Sequence, residues 1–154
     1  MSGGKVFVDT NIVFYGRDVA DDPRVKKAQH WLTELASRQV LVTNVQVLNE
    51  LANALFRKRQ NLSTDDVFQA VDDFMSFGST PVTRGTADLA RRIKRTNGYS
   101  WWDCLLLASA LELGCTHFLS EDLQDGQRIE AGGKALTIVS PFAHTPQDIL
   151  SRQD

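Results

Sequence analysis

The sequence predicts an α/β fold with three layers, a mostly parallel five-stranded sheet lying between helices. Two observations carry this. Short runs rich in β-branched and aromatic residues alternate with longer stretches of helical periodicity along the 154 residues. Strands separated by helices imply crossovers, and crossovers imply parallel pairing with both sheet faces covered. No low-complexity linker, internal repeat or second composition block interrupts the pattern. Residues 1–154 are therefore expected to form one domain, with a core at about 5–140 and a C-terminal tail at about 141–154.

Strands are expected at Lys5–Val8, Val40–Thr43, Thr80–Thr83, His117–Ser120 and Leu136–Val139. Helices are expected at Pro23–Arg38, Val45–Lys58, Thr64–Phe77, Gly85–Thr96 and Trp101–Leu113. Pro23 suits a first helical turn, with Asp22 before it as N-cap. Thr43 with Gln46 fits a capping box, Ser63 with Asp66 fits a weaker one, and Ser100 with Asp103 fits a third. Gly114 follows the last helix where a C-terminal glycine belongs. In the second helix Val47, Leu48, Leu51 and Leu55 make an apolar stripe, whereas Gln46, Glu50, Asn53 and Arg57 fall on another face. Cys104–Leu111 is apolar nearly all round, which places that helix between layers or in a subunit interface.

Composition narrows the class. Hydrophobic residues at 42% and charged residues at 23% are ordinary for a globular protein. No apolar run approaches the roughly 20 residues of a membrane span. Met1-Ser2-Gly3-Gly4-Lys5 carries no signal-peptide core, so a cytoplasmic protein is expected. Cys104 and Cys115, eleven residues apart on or just after one helix, lie roughly 16 Å from each other, beyond disulfide reach. They read as small buried apolar residues. The net charge of −2, from 17 basic and 19 acidic residues, argues against a nucleic-acid binder at face value. Setting aside four acidic residues with a separate role reverses that sign to +2, so bulk charge leaves the question open.

Those four are Asp9, Glu50, Asp103 and Asp122, each beside an apolar run. In open parallel sheets, ligands gather outside the carboxyl ends of the strands. Asp9 and Asp122 follow strands there, Glu50 lies about two turns into a helix, and Asp103 opens a helix whose start faces the same edge. Carboxylates gathered from distant segments suit a hard divalent cation such as Mg²⁺. Each also has a plainer reading: strand-ending cap for Asp9, solvated face for Glu50, dipole-stabilising cap for Asp103, turn residue for Asp122. Joint placement favours metal-dependent phosphodiester chemistry.

The segments Val8-Asp9-Thr10-Asn11, Asn49-Glu50-Leu51, Trp102-Asp103 and Leu119-Ser120-Glu121-Asp122-Leu123 together resemble PIN-domain ribonucleases. The likeness is greatest to VapC-type toxins of toxin–antitoxin pairs, and runs from Val6 to about Val139. It implies an acidic site at Asp9, Glu50, Asp103 and Asp122 that holds Mg²⁺ or Mn²⁺. It also implies support of the first Asp by Asn11, and a Ser120 hydroxyl that orients water or the metal shell. Asp125 is a further outer-shell candidate. The implied activity is an endoribonuclease acting on structured RNA such as a tRNA or rRNA loop. The implied partners are a cognate VapB-type antitoxin and a second copy in a homodimer.

The remaining features carry less. His30, His117 and His144 lack metal-ligand spacing, which disfavours zinc. No glycine-rich nucleotide cradle is present. Trp101-Trp102 is more often core or interface than a base-stacking platform. Arg57-Lys58-Arg59 and Arg91-Arg92 with Lys94-Arg95 are usually solvated faces; as a secondary expectation they flank the acidic cleft and contact phosphates. Two rival readings are a receiver-like Mg²⁺-binding phosphoacceptor and a non-catalytic binding module. A single Asp9 without a matching late Lys argues against the first, and absence of metal binding would favour the second.

Overall fold

The computed structural model describes residues 4–18 and 20–150, so residues 1–3 and the end of the expected tail, 151–154, lie outside the described residues. In chain order the elements are β1 (Lys5–Val8), α1 (Thr10–Gly16), α2 (Pro23–Ser37), β2 (Leu41–Val42), α3 (Val45–Lys58) and α4 (Thr64–Met75). They continue with α5 (Arg84–Thr96), α6 (Trp101–Glu112), β3 (Cys115–Leu119), β4 (Arg128–Ala131), β5 (Lys134–Val139) and α7 (Pro146–Ile149).

The sheet runs β2-β1-β3-β5-β4. Strands β2, β1, β3 and β5 are parallel, and β4 is antiparallel to β5. Because β2 and β3 flank β1 on opposite sides, right-handed crossovers carry the helices over opposite faces. That produces the expected three layers. The centre is dry: Val6, Phe7 and Val8 of β1 and Phe118 and Leu119 of β3 are all buried. Phe7 and Phe118 stack across the strand pair with centroids 5.4 Å apart. Helix α6 is buried from Cys104 to Leu111 and packs against α5 and the β3, β4 and β5 strands.

The caps show why the helices begin where they do. Asp22 accepts the Arg24 amide with Pro23 in the first turn, and the Ser63–Asp66 capping box is made in both directions. The Ser100 hydroxyl accepts the Asp103 amide at 3.1 Å. Gly114, after α6, has φ +77°, the left-handed conformation that glycine permits. Cys104 and Cys115 are buried and unbridged, and burial pushes the Cys115 thiol up to about 12. No helix among the described residues is long and apolar enough to cross a membrane.

Four expectations are corrected. Thr80–Thr83 is not a strand. Pro81 there has no N–H to give a ladder, the Thr80 carbonyl accepts from the Val45 amide, and Thr83 caps α5. The fifth strand is β4 instead, joined to β5 through Gly132-Gly133, both at positive φ (59° and 77°), as a two-residue hairpin turn demands. Helix α1, absent from the sequence reading, starts at once after Asp9. Asn44, not Thr43, caps α3: its side chain accepts the Val47 amide at 3.0 Å. Thr43 serves the edge of the sheet, donating its hydroxyl to the Gly78 carbonyl at 2.9 Å and its amide to the Phe77 carbonyl at 3.1 Å. Gly78 fits because φ is +134° and a Cβ would stand 2.3 Å from the Thr43 carbonyl oxygen.

Candidate active site

The two central strands end side by side and deliver the first two residues of the site. The Asp9 amide donates to the Leu119 carbonyl at 3.0 Å, and the Ser120 amide to the Val139 carbonyl at 3.0 Å, so ladder bonding continues one residue past β1 and β3. Asp9 is 7% exposed and Ser120 fully buried. As N-cap of α1, Asp9 takes the Thr10 amide on Oδ1 at 2.7 Å. Its Oδ2 accepts the Ser120 hydroxyl at 2.8 Å. Ser120 Oγ in turn accepts the amides of Asp122 and Leu123 at 3.2 and 3.4 Å, which leaves its proton aimed at Asp9. Burial pushes the Asp9 carboxyl up to about 7; the Ser120 and Thr10 bonds pull the other way, and the charges of Asp103 and Glu50 add to the rise.

Helix α3 buries Val47, Leu48, Leu51 and Leu55, so its Glu50–Asn53–Arg57 face turns to the cleft. Glu50 is raised by desolvation and by the Asp103 charge, with a Gln46 hydrogen bond opposing. Asp103, in the first turn of α6, is also raised, by desolvation first and the Asp122 charge last. Asp122 is exposed in the loop after β3, and its Oδ2 accepts the Asn11 side-chain amide at 2.9 Å. Asn11 thus ties the start of α1 to that loop.

All four acids, with Thr10 and Asn11, line one cleft of about 720 Å³. Ser120 lies beneath Asp9 and not on the surface of the cleft. Arg24, Arg57, Lys58 and Arg59 form the basic part of the wall. Arg91, Arg92, Lys94 and Arg95 of α5 do not line it. Asp125 also turns elsewhere, one oxygen accepting the Ser140 amide at 2.8 Å and the other meeting His144 Nε2 at 2.8 Å.

The sequence reading missed Tyr15 and Glu121 as cleft residues. Tyr15 donates its hydroxyl to Glu121 at 3.0 Å, and the Arg24 guanidinium stands 3.6 Å from Glu121 and 5.5 Å from the Tyr15 ring centre. The available signal was Asp9 as a helix cap, which places Tyr15 less than two turns along the same helix.

The donor set fits a hard divalent cation. Thr10 Oγ1, Asn11 Oδ1 and Glu50 Oε2, all from cleft-lining residues, are buried oxygens without a hydrogen-bond partner among the described residues. Buried polar atoms rarely stay unpaired. No three His, Cys, Asp or Glu side chains among the described residues yet close on one point. Mg²⁺ takes only one or two carboxylates directly while keeping several waters, so it does not require three to meet.

Comparison with known proteins adds to this geometry. The PIN domain family profile matches residues 6–127. Among solved structures, the chain is similar to the Mycobacterium tuberculosis Sarcin-Ricin loop cleaving toxin VapC20. That likeness has TM-score 0.57 at 20% identity over 74% of this chain and 87% of that one. It is also similar to VapBC2 from Rickettsia felis bound to a DNA fragment from their promoter, with TM-score 0.61 at 15% identity over 88% of this chain and 97% of that one. At these identities the likeness establishes the fold. No curated protein matches the chain.

Proposed function

The chain belongs to the PIN-domain family, and from that premise we propose that it is a divalent-metal-dependent endoribonuclease hydrolysing RNA phosphodiester bonds. The observation that carries this reading is Asp9. A carboxyl group is buried at the end of the central strand, held at a raised pKa, in a cleft that three further acids and buried oxygens lacking partners also line. A fold gains no stability from that arrangement without a ligand.

In this reading Asp9, Asp103 and Asp122 would hold Mg²⁺ or Mn²⁺, with Glu50 beside them as a ligand or as the base toward the attacking water. A bound divalent cation lowers the pKa of an attacking water and neutralises charge building on the phosphate. The chain's own residues do the rest. Ser120 fixes the rotamer of Asp9, and Asn11 fixes Asp122. Glu50 Oε2, buried and unpartnered, would accept the proton that the water gives up as its oxygen bonds to phosphorus, while the leaving oxygen departs with the electron pair of the broken P–O bond and takes a proton from solvent. Arg57, Lys58 and Arg59 hold neighbouring phosphates and set the register of the strand.

The biological setting follows the same reading. The chain acts as a single PIN-like domain in the cytoplasm, as the toxin of a toxin–antitoxin pair. It cleaves tRNA or rRNA, is blocked by a VapB-type antitoxin, and works as a homodimer. The two similar structures, one a Sarcin-Ricin loop cleaving toxin and the other VapBC2 bound to a promoter DNA fragment, support this. The test is direct: purified protein cleaves RNA when Mg²⁺ or Mn²⁺ is added and stops with EDTA. Cleavage that persists undiminished in EDTA overturns the assignment. Sequencing transcript 5′ ends after induced expression then identifies the target.

A further inference from the structure

A second groove, of about 540 Å³, adjoins the acidic cleft and shares Glu50 and Asn53 with it. Val82, Leu105 and the indole of Trp102 line it, with exposed Asn49 at its side. Trp102 is 65% exposed, the most exposed of the four large hydrophobic side chains left open to solvent among the described residues. Its contrast with Trp31 is sharp: that indole is 1% exposed and donates its N–H to the Pro141 and His144 carbonyls. No aromatic ring packs against Trp102 among the described residues. Yet its backbone is held. It lies in the first turn of α6, and its carbonyl accepts the Gln46 side-chain amide from α3 at 3.2 Å. The result is a flat aromatic face on a fixed helix, one residue before Asp103.

We propose that this groove is a base-stacking subsite, in which an unstacked nucleobase flanking the scissile phosphate lies against the Trp102 indole. The inference rests on the ribonuclease reading of the adjoining cleft. Continuity selects the occupant: a strand whose phosphate meets Glu50 has its next base at the groove that Glu50 and Asn53 also wall. An aromatic face takes any base by stacking, and single-stranded RNA is read in this way. Asn49 and Asn53 line the same groove and would offer side-chain amides to a base edge, giving a preference among bases. Gln46 is a positioning residue, acting through the Trp102 backbone.

The experiment uses the full chain, its Trp102→Ala and Trp102→Phe variants, and a short single-stranded RNA scanned with one abasic ribose at a time. Binding is read by fluorescence anisotropy in EDTA, and single-turnover cleavage in Mg²⁺. One abasic position is expected to weaken wild-type binding about 10- to 100-fold. Trp102→Ala is expected to lose a similar factor on intact RNA, with no further loss when the two changes are combined, and Trp102→Phe to retain most of the affinity. Wild-type-like binding of intact RNA by a folded Trp102→Ala protein overturns the subsite, as does an abasic penalty equal in variant and wild type. So does a Trp102→Ala change that splits a dimer in sedimentation without altering base dependence, since the face is then a contact between copies. Base-dependent binding without any cleavage keeps the subsite and sinks the nuclease reading; cleavage without base dependence does the reverse.

Discussion

Asp9 and Asp125 have opposite electrostatic histories within one small sheet. Asp125 is exposed, and the Ser140 amide and His144 between them hold its carboxyl below the usual carboxylate range. Asp9 is nearly inaccessible, and its carboxyl sits near 7 in spite of two hydrogen bonds. One acid fastens the loop after β3 to the segment after β5. The other makes the folded state worse whenever it is charged. A carboxylate that strengthens the fold is explained by the fold, whereas one that weakens it requires a ligand to explain it. Asp9, and with it Glu50 and Asp103, whose carboxyls burial also raises, therefore carry functional weight that Asp125 does not.

The largest expected effect separates the two acids by activity. Asp9→Asn and Asp103→Asn should each lower RNA cleavage by more than the roughly 10- to 100-fold that loss of an outer-shell metal partner costs. Asp125→Asn should leave the cleavage rate within about twofold, because Asp125 touches nothing in the cleft. Single-turnover rates on one RNA decide it, and an active Asp9→Asn protein collapses the distinction.

Next comes pH, with opposite signs. In EDTA, the folded pKa of Asp9 lies above the ordinary 3.8, so its stabilising contribution is complete below pH 4 and is lost as pH rises toward 7. The loss is on the order of 4 kcal/mol. Asp125 works the other way: its contribution is present above the ordinary carboxylate pKa and disappears as pH falls through its lowered value. Denaturant unfolding between pH 4 and 8 should show the alkaline loss in wild type and a flatter curve in Asp9→Asn. Equal slopes would remove Asp9 as the source. Adding Mg²⁺ should restore stability at pH 8 in wild type and not in the variant.

A smaller effect tests Asp125 as a fastener. Asp125→Asn should cost about 1 kcal/mol at pH 7, measured by urea unfolding, since the acid is exposed and both bonds are local. The smallest concerns the basic residues. Arg57→Ala with Lys58→Ala should weaken RNA binding several-fold and reduce the slope of log affinity against log salt by about 0.7 per lost phosphate contact. Arg91→Ala with Arg95→Ala should change neither, because α5 does not line the cleft.

Much of this is legible in the sequence. The β1, β3 and β5 strands announce themselves as apolar runs, and the helices from α2 to α6 follow from periodicity and caps. That Asp9, Glu50, Asp103 and Asp122 line one cleft follows from the carboxyl edge of the parallel strands, where the first turn of α6 and the polar face of α3 also come. The failures share a cause, which is that local composition was outvoted. Ile12-Val13-Phe14-Tyr15 looks unhelical by β-branching and ring bulk, but the cap at Asp9 and burial of Ile12 and Val13 impose α1. Thr80–Thr83 has strand-like residues but sits where Val45 and α5 already engage it. Strand β4 is polar and short, and its signal lay in the Gly132-Gly133 turn rather than in its own residues. Asp125 and Asp122 are three residues apart in one acidic loop, and only the backbone decides which of them faces Asn11.

The stitch between Thr43 and the Phe77–Gly78 turn has a bearing on how molecules of this chain meet. Strand β2 is an edge only two residues long, and that turn already occupies the backbone just beyond it. At the opposite border β4 presents Arg128 and Glu130, paired with each other and exposed. Neither border offers a long, flat, apolar template to which another strand adds. Crowded copies of this protein should therefore resist cross-strand polymerisation. Any pairing between copies, or with a foreign segment, falls to helix surfaces, where side chains rather than backbone select the partner.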